Sequence, residues 1–189
     1  MDTNSKIYQD LSRVLVTREE IAAAIRDLGQ KITADYAGRN LVMVCILKGA
    51  CVFFTDLIRE VDLPVTTEFM SVSSYGSGTS SSGVVRIVKD LDRNIENKDV
   101  LIVEDIVDSG RTLSYLVKVL EQRHPASIRI ATLLDKPARR APGITLKADY
   151  SGFEVGNDFV VGYGLDYDEK YRNLPDIGVL SPKIYESES

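Results

Sequence analysis

Residues 99–113 read DVLIVEDIVDSGRTL. The continuous apolar run Val100 to Val103 is typical of a short strand that is buried on both faces of a sheet. Acidic, small and polar residues follow as far as Thr112. A helical pattern then begins, with apolar residues at Leu113, Leu116, Val117 and Leu120. This stretch therefore predicts a strand, a tight turn and a helix in immediate succession.

The turn between this strand and this helix has the composition of an anion site. Its backbone N–H groups and the hydroxyls of Ser109 and Thr112 can point into the space at the helix N-terminus, where the helix dipole favours negative charge. A phosphate suits that space. Just upstream, the carboxylates of Glu104 and Asp105 lie where the vicinal hydroxyls of a sugar would fall. The motif therefore predicts a site for a ribose 5-phosphate.

A simpler interpretation is that these acids only solvate the end of the strand. Against it, the pattern predicts that three carboxylates converge there, those of Glu104, Asp105 and Asp108. Like charges at the end of a buried strand repel one another, and such an arrangement usually needs a ligand or a cation.

The composition limits the class of protein. A chain of 189 residues with 44% hydrophobic residues can bury one core of ordinary size, so we predict a single domain over residues 1–189. The formal net charge of −5 disfavours nonspecific binding of nucleic acid, which depends on a basic surface or patch. An anionic substrate would need local positive groups and a cation.

Neither a membrane nor an oxidising compartment is indicated by the sequence. No apolar run has the length of a membrane span, and the first residues, MDTNSK, lack the apolar stretch of a signal peptide. The two cysteines, Cys45 and Cys51, have no metal-ligand spacing and resemble small core residues. We therefore expect a cytoplasmic protein without a membrane partner.

Helical and strand-like patterns alternate along the chain. A capping box at Thr17-Arg18-Glu19-Glu20 starts an amphipathic helix that ends at Gly38. The other predicted elements are strands over Leu41 to Leu47, Val65 to Val72, Asp99 to Val107 and Ser127 to Lys136, and a helix over Ala50 to Glu60. This alternation predicts an α/β fold with a doubly wound, mainly parallel sheet, whose ligands bind at the carboxyl ends of the strands.

Two segments depart from that pattern. Residues 73–84 are almost all small and polar, and we interpret them as a flexible active-site lid, with a plain flexible loop as the alternative. After Pro137, the strand-like segments Thr145 to Val155 and Phe159 to Leu165 predict a small hood. The hood would consist mainly of residues 137–189 together with N-terminal residues.

Six motifs, taken in order, carry a resemblance to a known family. They are Leu47-Lys48-Gly49, Ser74-Tyr75, Glu104 to Thr112, Leu134-Asp135-Lys136-Pro137, Phe159 to Asp166, and Tyr171-Arg172. The third resembles the 5-phosphoribosyl 1-diphosphate (PRPP) motif of type I phosphoribosyltransferases. Together, over about residues 10 to 185, they resemble the hypoxanthine-guanine phosphoribosyltransferases, especially the short bacterial form.

The resemblance implies a type I phosphoribosyltransferase fold and a magnesium-dependent enzyme of purine salvage. Such an enzyme transfers the 5-phosphoribosyl group from PRPP to hypoxanthine or guanine, giving IMP or GMP and pyrophosphate. Its partners would be these small molecules and Mg²⁺, without nucleic acid or membrane. The family commonly forms a homodimer or homotetramer, and the sequence does not decide between them.

The resemblance also assigns roles within the PRPP motif. Glu104 and Asp105 would accept hydrogen bonds from the ribose hydroxyls, directly or through Mg²⁺. Asp108 would lie near N7 of the purine as the catalytic base. The 5′-phosphate would be held by the turn that contains Ser109, Gly110, Arg111 and Thr112.

A second group of residues would bind the purine. The Lys136 ammonium would donate to O6, and because lysine is only a donor it would reject a 6-amino purine such as adenine. Phe159 would stack on the base, and Val160 would offer its backbone C=O and N–H to the purine edge. The alternatives are a snorkelling surface lysine and ordinary core packing of Phe159 and Val160.

A third group would bind pyrophosphate. By resemblance, Lys48 and Gly49 form the pyrophosphate loop, where the family often has a cis peptide between leucine and lysine, and Arg172 also meets pyrophosphate. Asp166 would bind a second Mg²⁺ beside the purine, although Arg172 and Asp166 could instead form an ordinary surface ion pair. Ser74 and Tyr75 would close over the reacting centre and exclude water.

Two other functions remain open at this stage. A regulator that senses PRPP or a nucleotide and acts on nucleic acid could keep the same binding fold, but it would show a basic face or an added DNA-binding module. Neither is visible in the sequence. The second is an enzyme that accepts xanthine alongside hypoxanthine and guanine; the sequence does not decide this, because the 2-position of the purine is read largely by backbone carbonyls near Val160 and Asp166.

Overall fold

The computed structural model describes residues 5–74 and 85–185. Its strands are β1 Leu11–Val16, β2 Leu41–Leu47, β3 Thr66–Ser74, β4 Val85–Lys89, β5 Asp99–Val107, β6 Ser127–Asp135, β7 Tyr150–Glu154, β8 Val160–Val161 and β9 Ile177–Leu180. Its α-helices are α1 Arg18–Asp35, α2 Cys51–Glu60, α3 Arg111–Glu121 and the short α4 Pro182–Tyr185. No helix within the two described ranges is both long and apolar enough to cross a membrane.

A six-stranded sheet forms the centre of the molecule, in the order β4-β3-β2-β5-β6-β7. Strands β2, β3, β5, β6 and β7 run parallel to their neighbours, and only the edge strand β4 pairs antiparallel, with β3. The prediction of a doubly wound, mainly parallel sheet is confirmed. The predicted bounds of β2 and β5 agree with the structure residue for residue.

The middle strand β5 contributes to a core on each face of the sheet. Leu101 and Val103 pack in the core that contains α1 and α2, whereas Val100 and Ile102 pack in the core that contains α3. All four side chains are fully buried. Both faces of the sheet are therefore covered, as the continuous apolar run predicted.

Helix α1 begins with the predicted capping box. The Thr17 hydroxyl accepts a hydrogen bond from the Glu20 N–H at 3.3 Å, and the Thr17 N–H donates to the Glu20 carboxylate at 2.8 Å. These two bonds satisfy donors that would otherwise have no partner in the first turn. The helix then packs against α2, where Gly29 lies close to Glu60.

A smaller antiparallel sheet, in the order β1-β9-β8, joins the N-terminal and C-terminal parts of the described chain. One strand that the sequence analysis assigned to the hood belongs to the central sheet instead. The segment Thr145 to Val155 contributes β7, which extends the central sheet by pairing parallel to β6. The physical reason is burial, because Tyr150 packs in the core beside α1 and its hydroxyl donates to Asp35 at 2.7 Å.

We expect Gly29→Ala to destabilise the fold. An added methyl group would lie 2.6 Å from the carbonyl oxygen of Glu60, so the two helices would have to move apart. Overpacking of this kind costs about 1–3 kcal/mol, which outweighs the gain of about 1 kcal/mol that alanine brings to a helix. Urea unfolding measures the change. The control is Gly156→Ala, where a methyl group meets nothing within 4 Å; equal stability of the two variants would contradict the close contact.

Candidate active site

The predicted site residues gather around two cavities at the carboxyl edge of the central sheet. The larger, of about 310 Å³, is lined among others by Asp105, Asp108, Lys136, Phe159, Val160 and Asp166. The smaller, of about 190 Å³, is lined among others by Glu104, Asp108, Ser109, Gly110 and Thr112. Asp108 borders both cavities. Residues predicted for the purine thus lie beside residues predicted for the 5-phosphoribosyl group.

The acid pair at the end of β5 is held in an unfavourable environment. Burial and the neighbouring Asp105 charge raise the pKa of the Glu104 carboxyl well above its usual range. Burial also raises the pKa of Asp105 to about 6, although the Ile106 N–H, 2.7 Å from its carboxylate, and the Arg172 charge act against the shift. The protein's own groups therefore leave part of this negative charge without compensation.

The donor set of this pair fits a hard divalent cation. Carboxylate oxygens are the ligands that Mg²⁺ prefers, and Mg²⁺ usually takes one or two of them together with waters and substrate phosphates. Within residues 5–74 and 85–185, no three acidic, histidine or cysteine side chains converge closely enough to form a complete protein cage. The pair matches the open type of site, in which a substrate supplies further ligands.

The predicted phosphate turn adopts a left-handed conformation at Gly110. This residue precedes α3 with φ of +74°, a region that side chains other than glycine rarely adopt. A methyl group there would also lie 2.9 Å from the Ile144 side chain. The N–H of Arg111, the first helical residue, faces the Ser109 hydroxyl at 3.5 Å, whereas the Arg111 side chain is exposed. The loop after β6, which contains Ile144, therefore packs against this turn.

Lys136 does not extend to the surface. The residue is only 6% exposed, and its ammonium donates to the backbone carbonyl of Asp158 at 2.7 Å. Burial lowers the pKa of this lysine, whereas the Asp108 charge raises it. The snorkelling alternative is wrong for this side chain, because the residue is almost fully buried and lines the larger cavity.

Phe159 and Val160 differ in their surroundings. Phe159 is 43% exposed and its ring packs against Tyr167 and Tyr185, with centroid distances of 5.8 and 5.4 Å. Such a ring is backed by aromatic side chains while part of its surface stays open toward the cavity. Val160 is buried in the core that includes α1 and α2, so core packing accounts for its side chain.

Two arginines in the loop after β6 belong to the site although the sequence analysis did not select them. The Arg139 Nε donates to the Asp108 carboxylate at 2.7 Å. The mostly buried Arg140 donates through one terminal nitrogen to the backbone carbonyls of Val107 and Asp108, each at 2.7 Å, and pairs with Asp135 through the other. In the sequence these residues are visible only as an Arg-Arg pair after a buried strand, and that pattern does not show which groups the two side chains contact.

The predicted pyrophosphate residues lie together as well. The Leu47-Lys48 peptide is cis. The Lys48 ammonium and the Arg172 guanidinium both contact the Glu169 carboxylate, at 3.1 and 3.4 Å. Arg172 also pairs with Asp166 at 3.0 Å, so the ion pair that the sequence left as an alternative does form. A side chain at Gly49 would overlap the Asp105 carboxylate, which places this loop against the acid pair.

Only the first residues of the predicted lid belong to the described part of the chain. Ser74 ends β3, where it pairs with Val85 of β4. Tyr75 and the rest of the lid up to residue 84 lie outside the described residues.

Fold and site together are those of the phosphoribosyltransferase family. The family of the phosphoribosyl transferase domain matches residues 15–168 of the chain. That range contains the PRPP motif, the lysine loop and the cavity residues as far as Asp166.

Comparison with known relatives shows to which part of that family the chain belongs. The hypoxanthine-guanine phosphoribosyltransferase of Mycobacterium avium is 55% identical over 94% of this chain and 89% of its own length. That of Streptococcus thermophilus is 51% identical over 95% and 98%. A solved hypoxanthine phosphoribosyltransferase from Staphylococcus aureus superposes with a TM-score of 0.92 at 49% identity, over 97% of this chain and 99% of that one. The chain belongs to the hypoxanthine-guanine phosphoribosyltransferase family, as the resemblance predicted.

A longer relative contains the same domain. The bifunctional protein TilS/HprT of Listeria innocua is 54% identical over 96% of this chain, but the match spans only 28% of that protein.

We expect Asp105→Asn to stabilise the protein at neutral pH. The folded pKa of Asp105, about 6, lies above the value of about 3.9 in an unfolded chain, so this carboxyl favours folding below pH 4 and disfavours it above pH 6. Without added metal, the variant should exceed the wild type at pH 8 by on the order of 1–3 kcal/mol, and the difference should shrink toward pH 4. Urea unfolding at both pH values measures it. Asp62→Asn, at an exposed position, is the control; a gain that does not change with pH would contradict burial of the Asp105 charge as the cause.

Proposed function

We propose that this protein transfers the 5-phosphoribosyl group of PRPP to hypoxanthine or guanine, giving IMP or GMP and pyrophosphate in purine salvage. The observation that carries the proposal is the arrangement around Asp108. Its carboxylate borders both the cavity with Lys136 and Phe159 and the cavity with the phosphate turn. The names of the Mycobacterium and Streptococcus relatives support the same reaction.

Lys136 would select the base. With its ammonium at the larger cavity it can donate to a 6-oxo group, and it has no lone pair to accept from a 6-amino group. The carbonyl of Asp158, which accepts one of its hydrogen bonds, fixes the direction of the side chain. Phe159 would stack on the purine ring, and the backbone of Val160 would meet the purine edge.

Asp108 would accept the proton that the purine loses. As N9 of the purine forms its bond to C1′ of the ribose and the bond from C1′ to pyrophosphate breaks, the proton on N7 passes to this carboxylate. The Arg139 Nε donates a hydrogen bond to this carboxylate at 2.7 Å and so orients it at the border of the two cavities before the base arrives.

The remaining groups would hold the two ends of PRPP. The turn with Ser109, Gly110, Arg111 and Thr112 would bind the 5′-phosphate at the N-terminus of α3. Lys48, Gly49 and Arg172 would bind the pyrophosphoryl group. Glu104 and Asp105 would bind the ribose hydroxyls, directly or through one Mg²⁺, and Asp166 would bind a second Mg²⁺. Magnesium bound there would offset the negative charge of these carboxylates and of the pyrophosphoryl group.

The larger organisation is part of the same proposal. We take residues 1–189 as one phosphoribosyltransferase domain, in which the small β1-β9-β8 sheet forms the hood and residues 73–84 the lid, with Ser74 and Tyr75 over the reacting centre. A homodimer or homotetramer in the cytoplasm is expected, and sedimentation distinguishes the two assemblies.

A test of the function uses four bases, with and without magnesium. The purified chain is incubated with PRPP and hypoxanthine, guanine, xanthine or adenine, and monophosphate formation is followed. We expect turnover of hypoxanthine and guanine, none of adenine, and loss of activity in EDTA that added Mg²⁺ restores. The rate with xanthine decides whether that base is also a substrate. Full activity in EDTA would remove magnesium from the scheme, and PRPP binding without turnover of any base would indicate a regulator.

Replacing Lys136 should reduce the discrimination between oxo and amino purines. Lys136→Ala and the better-packing Lys136→Met both lose a charged hydrogen bond worth about 1.5–3 kcal/mol, so the KM for hypoxanthine should rise about 10- to 100-fold. The KM for PRPP should change little. Lys147→Met, at an exposed position, is the control. An unchanged ratio of hypoxanthine to adenine turnover in both Lys136 variants would contradict the contact with O6.

A further inference from the structure

A tight turn after Asp166 carries glutamate in a backbone conformation that glutamate rarely adopts. Tyr167 and Lys170 pair through two backbone hydrogen bonds, of 3.2 and 3.0 Å, and the two residues between them are Asp168 and Glu169. Their φ values are +49° and +60°. A two-residue turn with both central residues at positive φ is of the type that favours Asn-Gly or Asp-Gly. Turn formation alone therefore does not explain why a glutamate occupies the second central position.

The Glu169 carboxylate provides that reason through its contacts. One carboxylate oxygen lies 3.1 Å from the Lys48 ammonium and 3.4 Å from the Arg172 guanidinium. Lys48 comes from the loop after β2, 121 residues earlier in the chain. The turn thus brings one anion between two cations that belong to separate parts of the sequence.

These two cations are the ones proposed above to bind the pyrophosphoryl group. A carboxylate oxygen and a phosphate oxygen make the same kind of charge-assisted hydrogen bond to lysine and arginine. Glu169 therefore occupies, with its own oxygen, the donors that a pyrophosphoryl group would use.

We propose that Glu169 is an internal competitor at the pyrophosphate subsite, whose carboxylate sets how tightly PRPP and pyrophosphate are bound. The inference deepens the proposed function and rests on it. Each time the subsite empties, Lys48 and Arg172 pair with Glu169, and each incoming pyrophosphoryl group must displace that carboxylate. Glu169 lowers the affinity of the subsite for substrate and eases the departure of product.

The strength of the contacts suits a competitor. The Glu169 and Lys48 side chains are 64% and 68% exposed, and exposed ion pairs are weak. A pyrophosphoryl group with several negative charges can therefore displace the carboxylate. Because Glu169 is part of the same chain, it nevertheless competes at a high effective concentration. We therefore expect the pairs of Glu169 with Lys48 and Arg172 to weaken the binding of pyrophosphate by about two- to tenfold.

The neighbouring residue of the turn offers a matched control. Asp168 has the same charge, a positive φ and a side chain that is 65% exposed, but it pairs with Lys170 at 2.9 Å. Glu169→Gln and Asp168→Asn therefore remove the same charge from the same turn without a change of shape. Only the first removes the anion that Lys48 and Arg172 share, and the pair of Arg172 with Asp166 remains in both variants.

The experiment compares wild type, Glu169→Gln and Asp168→Asn in two measurements with Mg²⁺ present. Steady-state kinetics give the KM for PRPP and for hypoxanthine and the inhibition constant of pyrophosphate. Calorimetry gives the Kd of pyrophosphate without any turnover. We expect Glu169→Gln to lower the PRPP KM and both pyrophosphate constants about two- to tenfold. The hypoxanthine KM should stay the same, and Asp168→Asn should match the wild type.

The outcomes separate the inference from the function on which it rests. Wild-type turnover together with pyrophosphate constants that are equal in the two variants would overturn the inference alone. Weaker pyrophosphate binding by Glu169→Gln would also overturn it, because a carboxylate that only positions Lys48 and Arg172 predicts that sign. A wild-type protein without PRPP-dependent turnover would overturn the proposed function and the inference together.

Discussion

Burial of β5 on both faces is the constraint on which the site depends. From Val100 to Val103, successive side chains enter one core or the other, and a charged group at any of these positions would be placed in an apolar interior at high cost. The pairing of β5 with β2 ends at Val103, and the first carboxylate of the motif, Glu104, follows directly, while pairing with β6 continues to Val107. The neighbouring strands β2 and β6 end at the same edge, followed by Lys48 and Lys136. The parallel sheet therefore places the functional groups of three distant segments side by side.

The strand ends must also be held at a fixed separation, and Arg140 does this. Its guanidinium donates to the carbonyls of Val107 and Asp108 at the end of β5 and, at 3.1 Å, to the carbonyl of Lys136 just after β6. The Val107 carbonyl also accepts a hydrogen bond from the Lys136 N–H at 2.9 Å, so Arg140 adds a second donor where the pairing of β5 with β6 ends. A planar guanidinium offers several donors in a rigid arrangement, which a lysine ammonium does not. Arg140, which is proposed to meet neither purine nor phosphate, thus helps the strand pairing to hold the proposed catalytic base and the proposed base-reading lysine at a constant distance.

Much of the fold followed from local patterns in the sequence, since such patterns report burial. The strand, turn and helix from β5 to α3, the capping box of α1 and the parallel character of the sheet all have signals within a few residues. The sequence analysis did not identify β1, which pairs with β9 about 170 residues away. It placed β7 in the wrong sheet, because strand periodicity does not reveal the pairing partner. For the site, the resemblance selected residues that the fold does bring together. The ion pairs of Arg139 and Glu169 depend on contacts between remote segments and could not be read from the sequence.

Most charged groups of the candidate site already have an internal counter-ion. Asp108 is paired with Arg139, Asp166 with Arg172, and Lys48 with Glu169. Binding at these positions is therefore an exchange of partners, and its free energy is the difference between two ion pairs and not the full strength of one. Glu104 and Asp105 differ, because burial raises the pKa of both carboxyls and, for Asp105, the Arg172 charge offsets that effect only in part. A divalent ion or sugar hydroxyls bound at this pair, between the cavity for the base and the turn for the phosphate, would compensate that charge.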